Sequence, residues 1–375
     1  MRRRAFLLGV MSVAAAARAR AMQPKGDVAW APGDPAYRLQ LPRDHGSHPR
    51  HKIEWWYYTG NLLDAAKRRF GYQLTFFRVG IDPRPANPSR WAVRDLFMAH
   101  FAVTDVGGQR YRASDRLSRA GVGWAGAAEG TLDVWNDDWS VKRDADGRHV
   151  LRAAGSDMSL ALSLDEGKPF VAHGEGGYSQ KGQTAGNASH YYSLTRMPTR
   201  GTLQVGGQPH EVSGESWMDH EFGSSFLEPG QRGWDWFSIQ FDDGTELMLY
   251  RIRADETGEG GPGTRATGTF VDRDGRARML SATDLRFVPG RRWASSTSGA
   301  RYPVEWQLDV VPLKFSLRTR AVLDGQELHT EASTNVTYWE GAIDVEGTRE
   351  GRPIRGRGYL ELTGYTGAPL SDVLR

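Results

Sequence analysis

His220 stands between two carboxylates, Asp219 and Glu221, in a segment that spans residues 214–223. If this segment is a strand, Trp217 shares one face with both carboxylates, while His220 points to the other face. A histidine beside carboxylates can act as a general acid or base near neutral pH. The alternative interpretation is a polar strand end whose histidine makes a structural hydrogen bond.

Asp235 is a further acid candidate because it lies between Trp234 and Trp236. Burial against two indole rings would raise the pKa of its carboxyl through desolvation. The faces of the same rings could stabilise a cation that develops during a reaction. These residues could act as acid–base groups, and the predicted catalytic set is His220, Asp219, Glu221 and Asp235.

A histidine-rich segment precedes the first aromatic run of the chain. His45, His48 and His51 recur every three residues, and Glu54 follows them, so the spacing resembles a set of metal ligands. However, Gly46 and Pro49 would break any helix that aligned these side chains. The segment is therefore predicted to be a loop that covers a barrel mouth and supplies a histidine to a site, and no metal is predicted.

Aromatic residues and nearby polar side chains make up the predicted ligand-binding set. His100 belongs to it, although a histidine on an apolar stretch is more often a core residue with satisfied hydrogen bonds. Cavities for small molecules are mostly apolar and carry a few placed polar groups. The predicted ligand-binding residues are His45, His48, Glu54, Trp55, Trp56, Tyr57, His100, Trp217, Trp234, Trp236 and Tyr250.

Several familiar catalytic motifs are missing from the sequence. The segments at 177–181 and 214–218 both lack the final glycine of Gly-x-Ser-x-Gly, so a hydrolase with a nucleophile elbow is unsupported. His220-Glu221 has no second histidine at the zincin spacing, and no dinucleotide fingerprint occurs. An enzyme of this sequence would use acid–base groups in an apolar cavity, and no cofactor is predicted.

Short strands joined by glycine turns must position these residues. The chain has 45 glycines and 13 tryptophans. Asp-Gly or Gly-Gly pairs recur between runs rich in Val, Leu, Phe, Tyr and Thr, and this pattern is typical of β-hairpins. Long windows with helical periodicity are scarce, so the predicted class is all-β.

An internal repeat divides the chain. Residues 55–64 and 234–243 both begin with tryptophan, continue through aromatic residues and end at an acidic turn. Matching strands follow them at 74–78 and 247–251. Later matches keep the same order, and they pair 103–105 with 270–272, 201–205 with 341–345, and Trp217-Met218-Asp219-His220 with Tyr359-Leu360-Glu361-Leu362.

The repeat predicts two tandem antiparallel β-barrels, at residues 30–226 and 227–375, related by internal duplication. A barrel of about eight strands removes its own edges and can enclose one small ligand. Both copies retain an arginine, Arg78 and Arg251. Each is predicted to be structural, packed against a barrel tryptophan. Residues found in one copy only, such as His220 and Asp235, are then the better functional candidates.

The N-terminus predicts export. Three arginines at residues 2–4 precede Ala5-Phe6 and a short apolar run, and Ala19-Arg20-Ala21 resembles a cleavage site. Residues 1–21 are therefore predicted to be a twin-arginine-type signal peptide that directs the protein to the periplasm. Cleavage would remove five arginines and leave 43 basic against 45 acidic side chains. A charge near −2 predicts no nucleic-acid partner, and the absence of cysteine excludes disulfides.

The motifs resemble those of the bacterial AttH-like family, which is related to carotenoid 1,2-hydratases (hydroxyneurosporene synthases) and often labelled predicted secreted hydrolase. The resemblance covers nearly the whole mature chain and implies two lipocalin-like barrels. Its association with ABC-type export systems implies a transporter as partner. The matching segments are Asp-His-Gly-x-His-Pro at 44–49, Glu-Trp-Trp-Tyr at 54–57, Phe-Phe-Arg at 76–78, Trp-Met-Asp-His-Glu at 217–221 and Gly-Trp-Asp-Trp at 233–236.

Two functions are consistent with these residues. The first is an exported protein that binds an apolar or amphipathic small molecule, such as a lipid or isoprenoid. Such a protein could also contact a membrane peripherally. The second is a cofactor-free hydratase or isomerase that acts on an unsaturated lipid through His220 and a neighbouring carboxylate. The abundance of Trp and Tyr favours the binder, and the unduplicated His220 favours the enzyme.

Overall fold

The computed structural model describes residues 30–367 apart from 84–86, 90, 185, 226 and 255–263. The predicted signal peptide at residues 1–21 lies outside the described residues. The described chain is antiparallel β-sheet, and the predicted all-β class is confirmed. Within it, three 3-10 helices occur, at Arg43–His45, Ala282–Asp284 and Val311–Leu313. No helix in the described part of the chain has the length and hydropathy needed to cross a membrane.

The first sheet contains thirteen strands, and all of them precede residue 224. Long strands carry most of its pairing, and short strands complete one side. The strands are β1 (Ile53–Asp64), β2 (Arg69–Gly80), β3 (Asp95–Asp105), β4 (Arg110–Arg119), β5 (Ala125–Ala127), β6 (Asp133–Asn136), β7 (Trp139–Arg143), β8 (His149–Ala154), β9 (Met158–Leu164), β10 (Val171–Ala172), β11 (Tyr178–Gln180), β12 (Ala188–Val205) and β13 (Gln208–Gly223).

The remaining strands form a second sheet of ten strands and a small two-stranded ribbon. The ribbon consists of the two short strands β19 and β20. The strands are β14 (Gly233–Phe241), β15 (Glu246–Arg253), β16 (Arg265–Val271), β17 (Ala277–Leu280), β18 (Leu285–Pro289), β19 (Arg292–Ala294), β20 (Arg301–Pro303), β21 (Glu305–Val310), β22 (Phe315–Ala321), β23 (Glu327–His329), β24 (Thr337–Arg349) and β25 (Arg352–Leu362).

Both large sheets follow the same path. The first runs β4-β3-β2-β1-β13-β12-β9-β8-β7-β6-β5, and β4 approaches β5 and β6 so that the sheet is a nearly closed barrel. The second runs β17-β16-β15-β14-β25-β24-β22-β21-β18, and β16 approaches β18. In each path the first four strands of the sheet are consecutive, and a long C-terminal hairpin joins the side of the first strand.

Apolar side chains fill the inside of each barrel. Trp56, Tyr58 and Trp139 belong to the buried cluster of the first barrel, whereas Trp306 and Trp339 belong to that of the second. These large side chains alternate along their strands with residues that point outward. The expectation that a barrel interior encloses the ligand is therefore not supported by these two filled interiors.

The two sheets pack against each other through their outer faces. The β1–β2 hairpin lies on the β24–β25 hairpin, and the Tyr57 hydroxyl donates a hydrogen bond of 2.7 Å to Oε1 of Glu340. Gly71 marks a close approach of the two sheets, because a Cβ atom at this position would lie 2.8 Å from both the Cβ of Ala342 and the hydroxyl of Tyr359. Glycine permits the two backbones to come this close.

Substitution of Gly71 tests this contact. Gly71→Ala should lower the free energy of unfolding by about 1–3 kcal/mol because the added methyl group overpacks the seam between the sheets. Urea denaturation followed by tryptophan fluorescence would measure it. Gly107→Ala is the matched control, since its Cβ would meet nothing closer than 3.5 Å. Equal stability of the two variants would contradict the proposed close packing.

Candidate functional site

A cavity lies between the outer faces of the two sheets. Alternate residues of β1, β2, β13, β14 and β15 line it, as the two-residue period of a strand requires. The lining residues are Ile53, Trp55, Tyr57, Gln73, Thr75, Phe77, Val79, Met98, His100, Lys181, Tyr191, Asp219, Glu221, Leu227, Trp234, Trp236, Tyr250, Ile252, Thr334, Val336, Tyr338, Glu361 and Thr363. The site is thus outside both barrels and needs both sheets.

The cavity is partly enclosed, mostly apolar and about 170 Å³ in volume. A dry apolar cavity of about 150 Å³ is large enough to bind benzene. The enclosed part therefore suits a short hydrocarbon segment, such as the end of an isoprenoid or acyl chain. The rest of a longer ligand would extend through the open side.

Asp219 is the most unusual acid on the wall of this cavity. Burial raises the pKa of its carboxyl to about 7, because desolvation disfavours the charged form. Three donors orient the group: Trp217 Nε1 at 2.6 Å, the Tyr191 hydroxyl at 2.6 Å, and the Ser193 hydroxyl. The geometry holds a carboxyl that can be either a neutral acid or a base near neutral pH.

Glu361 contributes a second carboxyl from the other sheet. Burial raises its pKa to about 7, and the nearby charges of Asp219 and Glu221 act in the same direction. Trp234 Nε1 donates to Glu361 Oε2 at 2.7 Å. In the backbone register Asp219 pairs with Tyr57 and Glu361 pairs with Trp236, so each acid stands beside an aromatic side chain of the adjacent strand.

Glu221 differs from Asp219, although both lie on the same face of β13. The Lys181 ammonium contacts Glu221 Oε1 at 2.7 Å, and the Ser189 hydroxyl donates to the same carboxylate. Burial by itself would lower the pKa of Lys181, but the Glu221 charge outweighs burial and raises it. Lys181 also lies 5.0 Å and 4.7 Å from the ring centroids of Tyr191 and Tyr250. This buried ion pair forms a charged but neutralised end of the wall.

His100 lines the opposite part of the cavity. Its Nδ1 lies 2.8 Å from the Tyr338 hydroxyl and its Nε2 lies 3.1 Å from the Ser333 hydroxyl. Burial lowers the pKa of His100 to about 3, so the ring is neutral at pH 7. His100 is therefore a buried histidine with both ring nitrogens hydrogen-bonded, and it also lines the cavity. Both interpretations of its sequence context apply to it.

The structure brings part of the predicted site together. Eight predicted residues line the cavity although they come from five separate strands of two sheets. They are Trp55, Tyr57, His100, Asp219, Glu221, Trp234, Trp236 and Tyr250. Trp217 does not line it but packs among the aromatic residues between the sheets and orients Asp219.

His220 lies on the other face of β13, where it belongs to a buried ionic cluster. Its Nε2 is 3.0 Å from Glu54 Oε1, and its ring stacks on Trp56 at 4.9 Å. His48 Nδ1 reaches the same carboxylate oxygen at 2.8 Å, and Arg78 Nε donates to Glu54 Oε2 at 3.1 Å. Burial opposes ionisation of Glu54, but the two histidines and Arg78 hold its pKa well below the ordinary value. The predicted partnership of His220 with Asp219 is therefore absent, because the strand directs them to opposite faces.

The other predicted residues have structural partners away from the cavity. Asp235 forms ion pairs with Arg251 at 2.8 Å and Arg253 at 3.0 Å, so this carboxylate is not the solitary acid between tryptophans that the sequence suggested. Arg251 also lies 4.8 Å from the Trp306 ring centroid. Arg78 bridges carboxylates rather than packing on a tryptophan, and it contacts Asp95 at 2.9 Å as well as Glu54.

Sequence reasoning missed Glu361, Lys181 and Tyr191. The sequence repeat aligns Glu361 with Asp219. Glu361 was not selected because residues found in only one copy were preferred as functional candidates, whereas both copies carry a carboxyl at this position. Lys181 follows a short strand and has polar neighbours in the sequence, so nothing in the local sequence indicates that it is buried in an ion pair with Glu221. Tyr191 adjoins Tyr192, and their alternation sends one ring to the cavity and the other into the first barrel.

The comparisons with known proteins agree with this architecture. The AttH-like family model matches residues 32–365. No curated protein matches. An AttH protein from Nitrosomonas europaea is 35% identical, with a TM-score of 0.79 over 89% of this chain and 99% of that chain.

Two further solved structures share the fold at lower identity. Kievitone hydratase from Nectria haematococca is 18% identical, with a TM-score of 0.68 over 90% of this chain and 96% of that chain. CghA, solved with Sch210972, is 13% identical, with a TM-score of 0.54 over 85% of this chain and 90% of that chain. The family model spans nearly the whole described chain, and the chain therefore belongs to the AttH-like family.

Proposed function

We propose that this protein binds an apolar small molecule of isoprenoid or lipid type in the cavity between its two sheets. The observation that supports this most is the aromatic lining of an enclosed space that contains two buried carboxyls, Asp219 and Glu361. Cavities of this composition gain affinity from apolar burial and orientation from a few polar groups. CghA, which has the same fold, was solved with the small molecule Sch210972.

Acid-catalysed hydration is the second candidate function, and the state of Asp219 supports it. A carboxyl with a pKa of about 7 is partly protonated at neutral pH, so it can donate a proton without a cofactor. Kievitone hydratase shares the fold. In this mechanism Asp219, rather than the sequence-predicted His220, is the acid.

The proposed reaction adds water across a trisubstituted alkene. The Asp219 carboxyl gives its proton to the less substituted carbon, and the electron pair of the double bond forms the new C–H bond. The faces of Tyr57 and Trp236 stabilise the resulting tertiary cation. A water molecule then attacks the cationic carbon and returns a proton to the Asp219 carboxylate, so the protein is unchanged and the product is a tertiary alcohol.

The wider context of the protein is also a proposal. The shared strand order of the two sheets supports an internal duplication of a lipocalin-like barrel, with the halves at residues 30–226 and 227–375. The arginine-rich N-terminus supports export to the periplasm by the twin-arginine route. There the protein would deliver or receive its ligand at a membrane surface or at an ABC-type transporter.

Filling the cavity with a larger side chain should weaken ligand binding. Ile252 is buried on the cavity wall. Ile252→Trp should weaken the binding of a fluorescent apolar probe such as N-phenyl-1-naphthylamine by roughly tenfold or more, because a loss of about 1.4 kcal/mol of binding free energy changes the affinity tenfold. Titration followed by fluorescence would measure it. Val288→Trp adds the same ring at an exposed position and should bind normally. Equal affinities would place the probe elsewhere and contradict the proposal.

Removal of the acid tests hydration directly. Asp219→Asn should lower the rate of water addition to an isoprenyl alkene by about 10²–10⁴-fold while probe binding changes little. Incorporation of ¹⁸O from labelled water into the alcohol, followed by mass spectrometry, measures the rate. The wild-type rate should fall as pH rises through about 7, because Asp219 then loses its proton. Turnover that survives in Asp219→Asn would exclude this mechanism.

The raised pKa of Asp219 also predicts a pH dependence of stability. Because the folded-state pKa of about 7 exceeds the ordinary value of 3.8, folding favours the neutral form, and this contribution to stability is complete below the ordinary pKa. It is lost as pH rises towards 7, so the wild type should lose on the order of 4 kcal/mol relative to Asp219→Asn over this range. Urea denaturation at a series of pH values measures the difference, which includes the effect of the Asp219 charge on the pKa of Glu361.

The exposed Asp274→Asn variant is the control for this comparison. Its stability should follow that of the wild type at every pH. A constant difference in free energy between the wild type and Asp219→Asn across the same range would show that Asp219 is ionised in the folded protein throughout.

A further inference from the structure

Two buried histidines in the first barrel have an Nε2 atom without a hydrogen-bond partner. His45 belongs to the 3-10 helix Arg43–His45 and His149 begins β8, and both side chains are fully buried. Their Nε2 atoms both face Oε1 of Glu166 at 3.6 Å. Buried nitrogen atoms that make no hydrogen bond are uncommon and call for a physical explanation.

The distances in this cluster suit a metal ion better than direct hydrogen bonds. A separation of 3.6 Å is too long for an N–H···O bond. Ligands at about 2.0–2.1 Å from a tetrahedral Zn²⁺ ion lie about 3.3 Å from one another. The three candidate ligand atoms of His45, His149 and Glu166 all lie within 4.8 Å of each other. A small adjustment of the side chains would bring them onto one ion.

Tyrosines on the far side of both rings orient the histidines. The Tyr192 hydroxyl donates to the carbonyl oxygen of Asp44 and lies 2.7 Å from His45 Nδ1. The Tyr192 oxygen can therefore accept a hydrogen bond from the N–H of His45 Nδ1, and in that tautomer the lone pair of His45 Nε2 is directed at Glu166. His149 Nδ1 lies 2.9 Å from the Tyr58 hydroxyl. A hydrogen bond of this kind to the outer ring nitrogen is the usual support of a metal-binding histidine.

The ligand types and their accessibility also suit a cation site. Two imidazole nitrogens and one carboxylate oxygen are common zinc ligands. Both histidine side chains are fully buried, whereas Glu166 is the accessible member of the cluster. Its side chain is 34% exposed, which gives an ion a path from solvent and room for a water ligand.

We propose that His45, His149 and Glu166 form a binding site for a divalent transition-metal ion, with Zn²⁺ as the best fit to two imidazoles and one carboxylate. The ion would link three separate segments at one end of the first barrel: the 3-10 helix, the start of β8 and the connection between β9 and β10. Arg143 Nε contacts the same Glu166 oxygen at 3.0 Å and competes with the ion for it. The site is distinct from the cavity between the sheets.

In the second histidine–carboxylate cluster of the described chain, the carboxylate already has hydrogen-bond partners. His48 and His220 both hydrogen-bond to Glu54 Oε1, while Arg78 and Ser47 donate to Oε2. Glu54 is thus already saturated by donors, and one of them carries a fixed positive charge. A metal ion there would have to displace these contacts at Glu54 and His220, whose side chains are fully buried.

Zinc binding to the full-length protein tests the site. After dialysis against EDTA, isothermal titration with ZnCl₂ should show about one equivalent bound, and saturating Zn²⁺ should raise the melting temperature, because an ion that binds only the folded state stabilises it. Co²⁺ should give the visible absorption bands of a site with nitrogen and oxygen ligands. Glu166→Gln and His149→Gln should each weaken binding by roughly tenfold or more.

Two variants serve as matched controls. His210→Gln removes a partly buried histidine that is paired with Asp64, and His48→Gln alters the other cluster, so neither should change zinc affinity. Glu166 is partly exposed, and Glu166→Gln therefore keeps the fold, which circular dichroism would verify. Absence of stoichiometric zinc uptake, or a loss of binding in His48→Gln but not in Glu166→Gln, would overturn the proposal.

Discussion

Two barrel-like sheets pack through the outer faces of β1, β2, β24 and β25, and this contact removes water from polar strands that would otherwise be exposed. Each barrel interior is already filled by its own aromatic and aliphatic residues, so a ligand cavity can form where the two curved outer faces diverge. Curved surfaces rarely fit without a gap. The gap here is lined by residues of both sheets, and neither half could provide it alone.

Desolvation at this contact sets the chemistry of the cavity wall. A buried carboxyl without a cation becomes a weak acid, as Asp219 and Glu361 do, because the cost of burying a charge exceeds what neutral hydrogen-bond donors return. Glu221 has Lys181 as a partner and forms a buried ion pair instead. A single wall thus presents two carboxyls of raised pKa beside a compensated charge pair, and these carboxyls are the groups suited to an apolar ligand.

The alternation of β13 connects the cavity to the interior of the first barrel. Asp219 and Glu221 face the second sheet, whereas His220 faces Glu54 and Trp56. A strand can hold both environments a few ångströms apart because its successive side chains point in opposite directions. The ionic cluster around Glu54 fastens the segment before β1 to the barrel wall, and this anchoring keeps Trp55 and Tyr57 on the cavity side.

The sequence by itself determined the all-β class, the hairpins at glycine turns and the aromatic strands that line the site. These features are local, since turn residues and two-residue alternation act over a few positions. It also selected eight residues of the cavity, because aromatic and acidic residues stand out on strands. The sequence could not decide which face of each strand meets the other sheet. It therefore grouped His220 with Asp219 as catalytic candidates, although the two side chains point to opposite faces, and it treated Asp235 as a free acid.

Only the tertiary structure decided the partners of the charged groups. Asp235 meets Arg251 and Arg253, and Glu54 meets Arg78, through contacts across strands. The histidine run that resembled one metal site was divided, with His45 directed to His149 and His48 to Glu54. Burial and pairing depend on residues distant in the chain, and for this reason ionisation states and sites assembled between elements follow from packing rather than from local sequence.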